Sequence, residues 1–251
     1  MTASLNTTTS GSKISVEQIN SFLGAEVTGL NLAGGIGDAD VATLEAALAE
    51  HEVLVFRDQA LTGEELMALG EKFGALSVHP FSPNDEKNPA LILFRNDENT
   101  PPWGTDVWHS DETFRKVPPL ATMLHALDVP RFGGDTMFAS MTAAFEGLSD
   151  RMQHFLSGLE AEHDFVIFKA LFGETAEGRE KLLKYEQEYP PALHPVVAAH
   201  PVTGRKLIFV NPQFTTGIKG MDAAESRQLL TQLYDLTKVP EYQYRHHWTN
   251  N

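Results

Sequence analysis

The sequence predicts a mixed α/β fold, mainly β: a jelly-roll-like double sheet with helices packed outside it. Three observations predict it. From residue 90 onward, short extended segments dominate, each bounded by turn residues. Helical patterns are inserted between them without repeats, low-complexity tracts or an obvious linker. The chain's 251 residues, 42% of them hydrophobic, suffice for one sizeable core, so a single domain over residues 13–251 is expected.

Residues 1–12 are rich in Ser and Thr and have neither a basic head nor an apolar stretch, so a disordered tail is expected there rather than a targeting signal. Val41, Leu44 and Leu48 follow helical spacing after Asp38, and residues 51–56 then form a short apolar run of the buried-strand kind. Thr62-Gly-Glu-Glu65 has the capping-box form and opens a helix through Leu66, Leu69 and Phe73, closed by Gly74. Extended segments are predicted at 90–94, 106–110, 121–127, 136–139, 192–199 and 206–210. Helices are predicted at about 141–159 and, behind Asp222-x-x-Glu225, at about 223–236. The glycine pair in Arg131-Phe-Gly-Gly-Asp-Thr136 marks a turn between two strands.

Lys and Arg number 19 against 34 Asp and Glu, a formal charge of −15, and no basic block compensates locally. Such a surface repels nucleic-acid phosphate and anionic membrane, which leaves a small molecule as the expected partner. Self-association into a homo-oligomer stays open. Without cysteine there are no disulfides, zinc-thiolate sites or iron–sulfur clusters, so any metal must be held by His, Asp or Glu. That usage fits a cytoplasmic protein, and no apolar run approaches the roughly 20 residues of a membrane span.

The most informative motif is His109-Ser110-Asp111. On extended backbone, residues i and i+2 point to one face, so an imidazole and a carboxylate converge on one ion. Two protein ligands leave room for a third, for an oxidisable co-substrate and for dioxygen, the arrangement of a 2-His-1-carboxylate iron site. A plain surface pair of His and Asp is the alternative.

Eight segments in one order carry a wider resemblance. They are Gly24-Ala-Glu-Val-Thr-Gly29; Val55-Phe-Arg-Asp-Gln59; Phe73-Gly74 with His79-Pro80; Trp108-His-Ser-Asp111 with Thr113-Phe114; Gly133-Gly-Asp-Thr136; Ala161-Glu-His-Asp-Phe165; His194-Pro-Val-Val197 with His200-Pro201; and Phe209-Val-Asn211 with Phe214-Thr-Thr216. Together they span residues 24–216, and in this order the chain resembles, from about residue 14 to the last, the taurine/2-oxoglutarate dioxygenase family of Fe(II)-dependent oxygenases.

The resemblance implies a double-stranded β-helix, the cupin-like jelly roll, with flanking helices. It implies Fe(II), 2-oxoglutarate as co-substrate and O2, and hydroxylation of a small anionic substrate of the sulfonate, sulfate-ester or carboxylate class, with release of succinate and CO2. His109 and Asp111 take the catalytic iron-ligand roles. Thr136 matches the threonine whose hydroxyl binds a carboxylate of 2-oxoglutarate, against the alternative of an ordinary cross-strand threonine. His79 matches a histidine that contacts the substrate's anionic head group, against a plain His-Pro loop residue.

Glu112 stands where the taurine enzyme has a small apolar residue. An ionised carboxylate about 4 Å from a sulfonate costs roughly 4 kcal/mol at an effective dielectric near 20. Strand alternation, however, turns residue 112 off the face of residues 109 and 111, so Glu112 is expected at the substrate site through its backbone rather than its side chain, against the alternative of a surface Glu paired with Arg115 or Lys116. Phe165, Phe168 and Phe214 are candidates for the pocket wall, or core.

In the family, the strand ending here as Tyr242-Gln-Tyr-Arg-His-His-Trp248 is followed by a Trp-Asp-Asn-Arg segment, a third ligand histidine and arginines that clamp 2-oxoglutarate. The sequence stops at Asn251, so it is expected to be C-terminally incomplete and, as it stands, inactive or nearly so. His246 and His247 lie upstream of the ligand's place, and His194 and His200 match positions that are not ligands. A non-catalytic barrel acting as a small-molecule binding module is the alternative, with a zinc-type hydrolase third.

Overall fold

The structure is a computed structural model that describes residues 14–96 and 106–251, so the expected tail over residues 1–12 lies outside the described residues. These residues fall into two compact units: 14–76, 125–136 and 246–251 in the first, and 77–96, 106–124 and 137–245 in the second.

In the first unit, β1 (Ser15–Gln18) and β2 (Ala25–Thr28) pair antiparallel, from Ser15↔Thr28 to Gln18↔Ala25. Helix α1 (Asp38–His51) then crosses over to β3 (Leu54–Phe56), which lies parallel to β2. A parallel pair requires such a crossover, because a tight turn reverses the chain. Val41, Leu44 and Ala47 form the buried stripe of α1, one residue short of the predicted Leu48. Its end is marked by Glu52 in the left-handed region at φ 64°, with the Glu52 N–H returned to the Leu48 carbonyl. Helix α2 (Gly63–Glu71) opens on the predicted capping box: Glu65 N–H donates to Thr62 Oγ1 at 3.2 Å, and Thr62 N–H donates to Glu65 Oε2 at 2.8 Å. The core of this unit is Val27, Leu32, Ile36, Val41 and Leu44, with Leu54, Phe56, Leu69 and Phe73 packed on it.

The second unit takes in most of β4 (Thr136–Ala139), which has its predicted bounds. The helix predicted over 141–159 is two helices, α3 (Met141–Glu146) and α4 (Asp150–Leu156). Ser140 and Ser149 each cap one, accepting from Ala143 N–H and Met152 N–H, and a serine at a cap competes better than a serine inside a helix. Gly147 lies at the break, where a β-carbon would collide with the Tyr242 hydroxyl. There follow β5 (Glu160–His163), α5 (Val166–Lys169), α6 (Ala176–Glu188), β6 (Ala192–Pro195), β7 (Val197–Ala199), β8 (Lys206–Ile208), β9 (Thr215–Ile218), α7 (Ala223–Asp235) and β10 (Gln243–His246).

Strand β5 is central in an antiparallel β6–β5–β9 sheet, with Ala161 opposite both His194 and Ile218. β7 and β8 form a hairpin, and β10 pairs with β4, where Phe138 and Tyr244 stack. Helix α7 buries Leu229, Leu230 and Leu233 against Phe145, Leu156, Ala161, Val196 and Ile208. A separate cluster is almost wholly aromatic: Phe114, Phe165, Phe168 and Phe214, with Phe81, Tyr185 and Tyr189 packed on it.

The extended segments predicted at 90–94, 106–110 and 121–127 form no ladder beyond one bridge, Asn84↔Ile92. Helices hold more of the described residues than strands do, so the content is mixed α/β rather than mainly β. No helix of the described residues is long and apolar enough to cross a membrane.

Candidate metal centre

His109 and Asp111 come together in the second unit, but not by the predicted route. Residues 106–110 are irregular, so strand alternation does not align the two side chains. The loop does: His109 Nε2 lies 3.4 Å from Asp111 Oδ1, and the chain then turns through Glu112 in the left-handed region at φ 50°. An Arg115 N–H to Glu112 carbonyl bond of 2.9 Å closes that turn.

Each partner is oriented from behind. His109 Nδ1 is 2.7 Å from the Val107 carbonyl, which can only accept, so Nδ1 carries a proton and Nε2 is the nitrogen turned to Asp111. Asp111 receives a 2.5 Å hydrogen bond from the Thr122 hydroxyl on its other oxygen, Oδ2. The hydrogen bond from His109, and then that from Thr122, hold the Asp111 carboxyl below its ordinary range against the effect of burial. The Asp111 hydrogen bond in turn raises His109, with burial opposing it.

A backbone carbonyl on Nδ1–H is the support that metal-ligating histidines use, since it keeps one proton on Nδ1 and, once Nε2 gives up its own to make way for a metal, aims the Nε2 lone pair outward. One imidazole nitrogen and one carboxylate oxygen on an open loop fit a divalent first-row metal. Among the described residues no third His, Asp or Glu completes a metal-holding group. Thr122 is not legible in the sequence, because one hydroxyl in an apolar run carries no signal of its partner.

Glu112 is buried, 6% exposed, and its carboxylate is committed: Arg115 Nε reaches Oε2 at 2.5 Å and the Ser77 hydroxyl reaches Oε1 at 3.4 Å. Arg115 also donates to the Val78 carbonyl at 2.9 Å and lies over the Tyr189 ring at 5.2 Å. The pairing with Arg115 is thus present, inside the protein rather than on its surface.

His79 accepts at Nδ1 from Phe81 N–H at 3.1 Å and meets the Ser82 hydroxyl at 2.9 Å. A backbone N–H can only donate, so the ring proton sits on Nε2. Burial lowers the His79 pKa, opposed by the nearby charges of Glu112 and Asp111. His79 is therefore a neutral donor, edge-on to Phe168 with ring centroids 5.3 Å apart. Phe214, 2% exposed, touches the same group, 6.0 Å from Phe168 and 5.4 Å from Phe114. Phe165 and Phe168 are buried in it as well. His79 and Phe214 thus share one aromatic cluster.

Thr136 belongs to the first unit. Gly133 and Gly134, at φ 82° and 71°, make the predicted turn in a region closed to most side chains, and Thr136 opens β4 directly after it. Trp248 Nε1 donates to Thr136 Oγ1 at 2.9 Å. An indole nitrogen only donates, so the threonine's own proton is left to give to another acceptor. His247 pairs with Asp135 at 2.8 Å, and buried His246 meets the Trp248 ring edge-on at 4.4 Å. His200 Nδ1 accepts from Val202 N–H and Thr203 N–H in its own turn.

Residues 15–251 match the family profile described as taurine catabolism dioxygenase TauD, TfdA family. The alpha-ketoglutarate-dependent 2,4-dichlorophenoxyacetate dioxygenase of Cupriavidus pinatubonensis is 30% identical over 246 residues, covering 92% of this chain and 84% of that protein. Among solved structures, a taurine dioxygenase from Burkholderia xenovorans superposes with a TM-score of 0.77 at 30% identity, over 94% of this chain and 77% of that one. AAD-2, solved in complex with Mn(II) and N-oxalylglycine, gives 0.74 at 28% identity over 95% and 85%. A match running from residue 15 to residue 251, through every segment described above, means that the chain belongs to the taurine catabolism dioxygenase TauD, TfdA family.

Proposed function

We propose that the protein is an Fe(II)- and 2-oxoglutarate-dependent dioxygenase that hydroxylates a small anionic organic substrate of the sulfonate, sulfate-ester or carboxylate class. The observation that carries this reading is the oriented pair His109 and Asp111, with Nε2 and Oδ1 3.4 Å apart on an open loop and each side chain fixed from behind. Relatives named for 2,4-dichlorophenoxyacetate and taurine support the substrate class, one being a carboxylate and the other a sulfonate. Iron, 2-oxoglutarate and O2 supply the oxidation, in which one oxygen atom goes to succinate, the other to the substrate hydroxyl, and CO2 is released.

The chain's own residues bind and aim. His109 and Asp111 hold the metal. Thr136 gives its free hydroxyl proton to a carboxylate of 2-oxoglutarate. His79 offers Nε2–H to the substrate's anionic head, a neutral donor whose burial strengthens the bond without requiring protonation. Phe214 belongs to the apolar wall beside it. Glu112 keeps its charge matched by Arg115, so the carboxylate does not repel an anionic substrate. Residues 13–251 act as one oxygenase domain on a double-stranded β-helix, and a cysteine-free chain suits a cytoplasmic location.

The test is succinate formation from 2-oxoglutarate with Fe(II) by the full-length protein, across a panel of alkyl sulfonates, sulfate esters and aryloxyalkanoates. At least one member should stimulate succinate release in step with its own hydroxylation. A protein that binds panel members but forms no succinate with any of them would be a binding module instead.

A further inference from the structure

Directly after the metal pair, the chain is gripped by buried polar side chains that the proposed mechanism does not use. Thr113, 1% exposed, meets His163 Nδ1 at 2.9 Å through its hydroxyl oxygen and accepts from Asn211 Nδ2 there at 3.0 Å. Its carbonyl accepts from His194 Nε2 at 2.9 Å, and the same nitrogen reaches the Arg115 carbonyl at 3.0 Å. These holds come from three places in the second unit: His163 from β5, His194 from β6, and Asn211 from the segment between β8 and β9.

The gripping residues are themselves fixed. Asn211 Oδ1 accepts from the N–H groups of Gln213 and Phe214, the Thr215 hydroxyl takes the Asn211 N–H, and His163 Nε2 lies 3.3 Å from that hydroxyl. The His163 and His194 rings meet edge to face at 5.0 Å. All four residues that make the clamp are buried. A sheet seeking only an apolar core would not fix one residue by both its side chain and its carbonyl, since each buried polar group must then be matched.

Thr113 lies two residues beyond Asp111, with left-handed Glu112 between them, so pinning Thr113 fixes the direction in which the loop presents Asp111 and His109. We propose that Thr113, held by His163, Asn211 and His194, is the positioning residue that keeps His109 and Asp111 in metal-binding geometry. The inference rests on the metal reading above.

Mn(II) affinity, measured by calorimetric titration with the melting temperature followed in parallel, tests it. Thr113→Val keeps the shape and removes the hydroxyl, and it should weaken Mn(II) binding by about ten-fold or more, the usual effect of losing an outer-shell partner. Thr113→Ser, which keeps the hydroxyl, should restore the affinity. A folded Thr113→Val protein with wild-type Mn(II) affinity overturns the inference, as does a lower melting temperature with no change in affinity. If Thr113→Val does not fold, Asn211→Ala decides: weaker binding supports the clamp, and unchanged binding overturns it. His109→Ala separates the two levels. If it abolishes Mn(II) binding while Thr113→Val does not weaken it, the clamp alone falls; if His109→Ala binds Mn(II) normally, the metal reading falls and takes the clamp with it.

Discussion

His109 Nε2 faces Asp111 Oδ1 at 3.4 Å because the other nitrogen of the ring, Nδ1, is tied at 2.7 Å to the Val107 carbonyl two residues upstream. The ring cannot rotate without breaking that bond, so the loop presents one nitrogen and one carboxylate oxygen to the same point. Asp111 is held in a like manner by Thr122.

Thr122 therefore has a measurable role. Thr122→Val should lower Mn(II) affinity by about ten-fold, as loss of an outer-shell partner does, with little loss of fold stability. Calorimetric titration beside a thermal melt reads both quantities. Equal affinities in the two proteins would make the 2.5 Å contact incidental.

Thr136→Val keeps the side chain's shape but removes the proton that Trp248 leaves free. The apparent KM for 2-oxoglutarate should rise by roughly ten-fold, the ~1–1.5 kcal/mol of one hydrogen bond, with kcat changed far less. Steady-state succinate assays at saturating substrate measure this. An unchanged KM would return Thr136 to an ordinary strand position.

The Glu112–Arg115 pair is the buried ion pair of this region, its side chains 8% and 23% exposed. Arg115→Ala leaves a buried carboxylate without its cation, and stability should fall by about 3 kcal/mol. Glu112→Gln, which is neutral and keeps an acceptor for Arg115, should cost less. Urea unfolding of the two variants gives the order, and Glu112→Gln as the more damaging change would contradict it.

His163 makes stability depend on pH. Burial, and then the neighbouring His194, push its pKa down from 6.5 to about 3. Above pH 6.5 the ring is neutral whether the chain is folded or not. Below it, the unfolded chain takes up a proton that the folded one refuses, so stability falls as pH falls from 6.5 toward 3. At pH 5 this amounts to about 2 kcal/mol. Lowered His79 and His246 act in the same direction, so the comparison that isolates His163 is with His163→Asn, whose stability should fall less steeply between pH 7 and pH 5. Parallel slopes would rule out a neutral, buried His163.

How much was legible in the sequence follows from how local each signal is. Thr62 and Glu65 meet as a capping box because both partners lie within one turn, and β4 begins at Thr136 because a glycine pair stops the chain just before it. The segment at 106–110 departs from its strand-like sequence for the opposite reason. Val107, Trp108 and His109 look strand-like, but a strand needs a neighbour, and here the backbone instead turns at Glu112, whose conformation a non-glycine residue rarely announces. β1, β2 and β9 are four residues each, too short to show alternation. The convergence of His109 and Asp111 comes not from strand alternation but from the Val107, Thr122 and Thr113 bonds, whose partners no spacing rule connects.

The central claim is that His109 and Asp111 hold the iron on which 2-oxoglutarate is oxidised. Its most direct test is Fe(II)-dependent succinate formation, with a stimulating substrate, in the wild type, His109→Ala and Asp111→Ala, with circular dichroism verifying that each variant is folded. Full-length wild-type protein should form succinate, and both folded full-length variants should fall to background, because each loses a metal ligand. Near wild-type turnover in either folded variant would contradict the assignment.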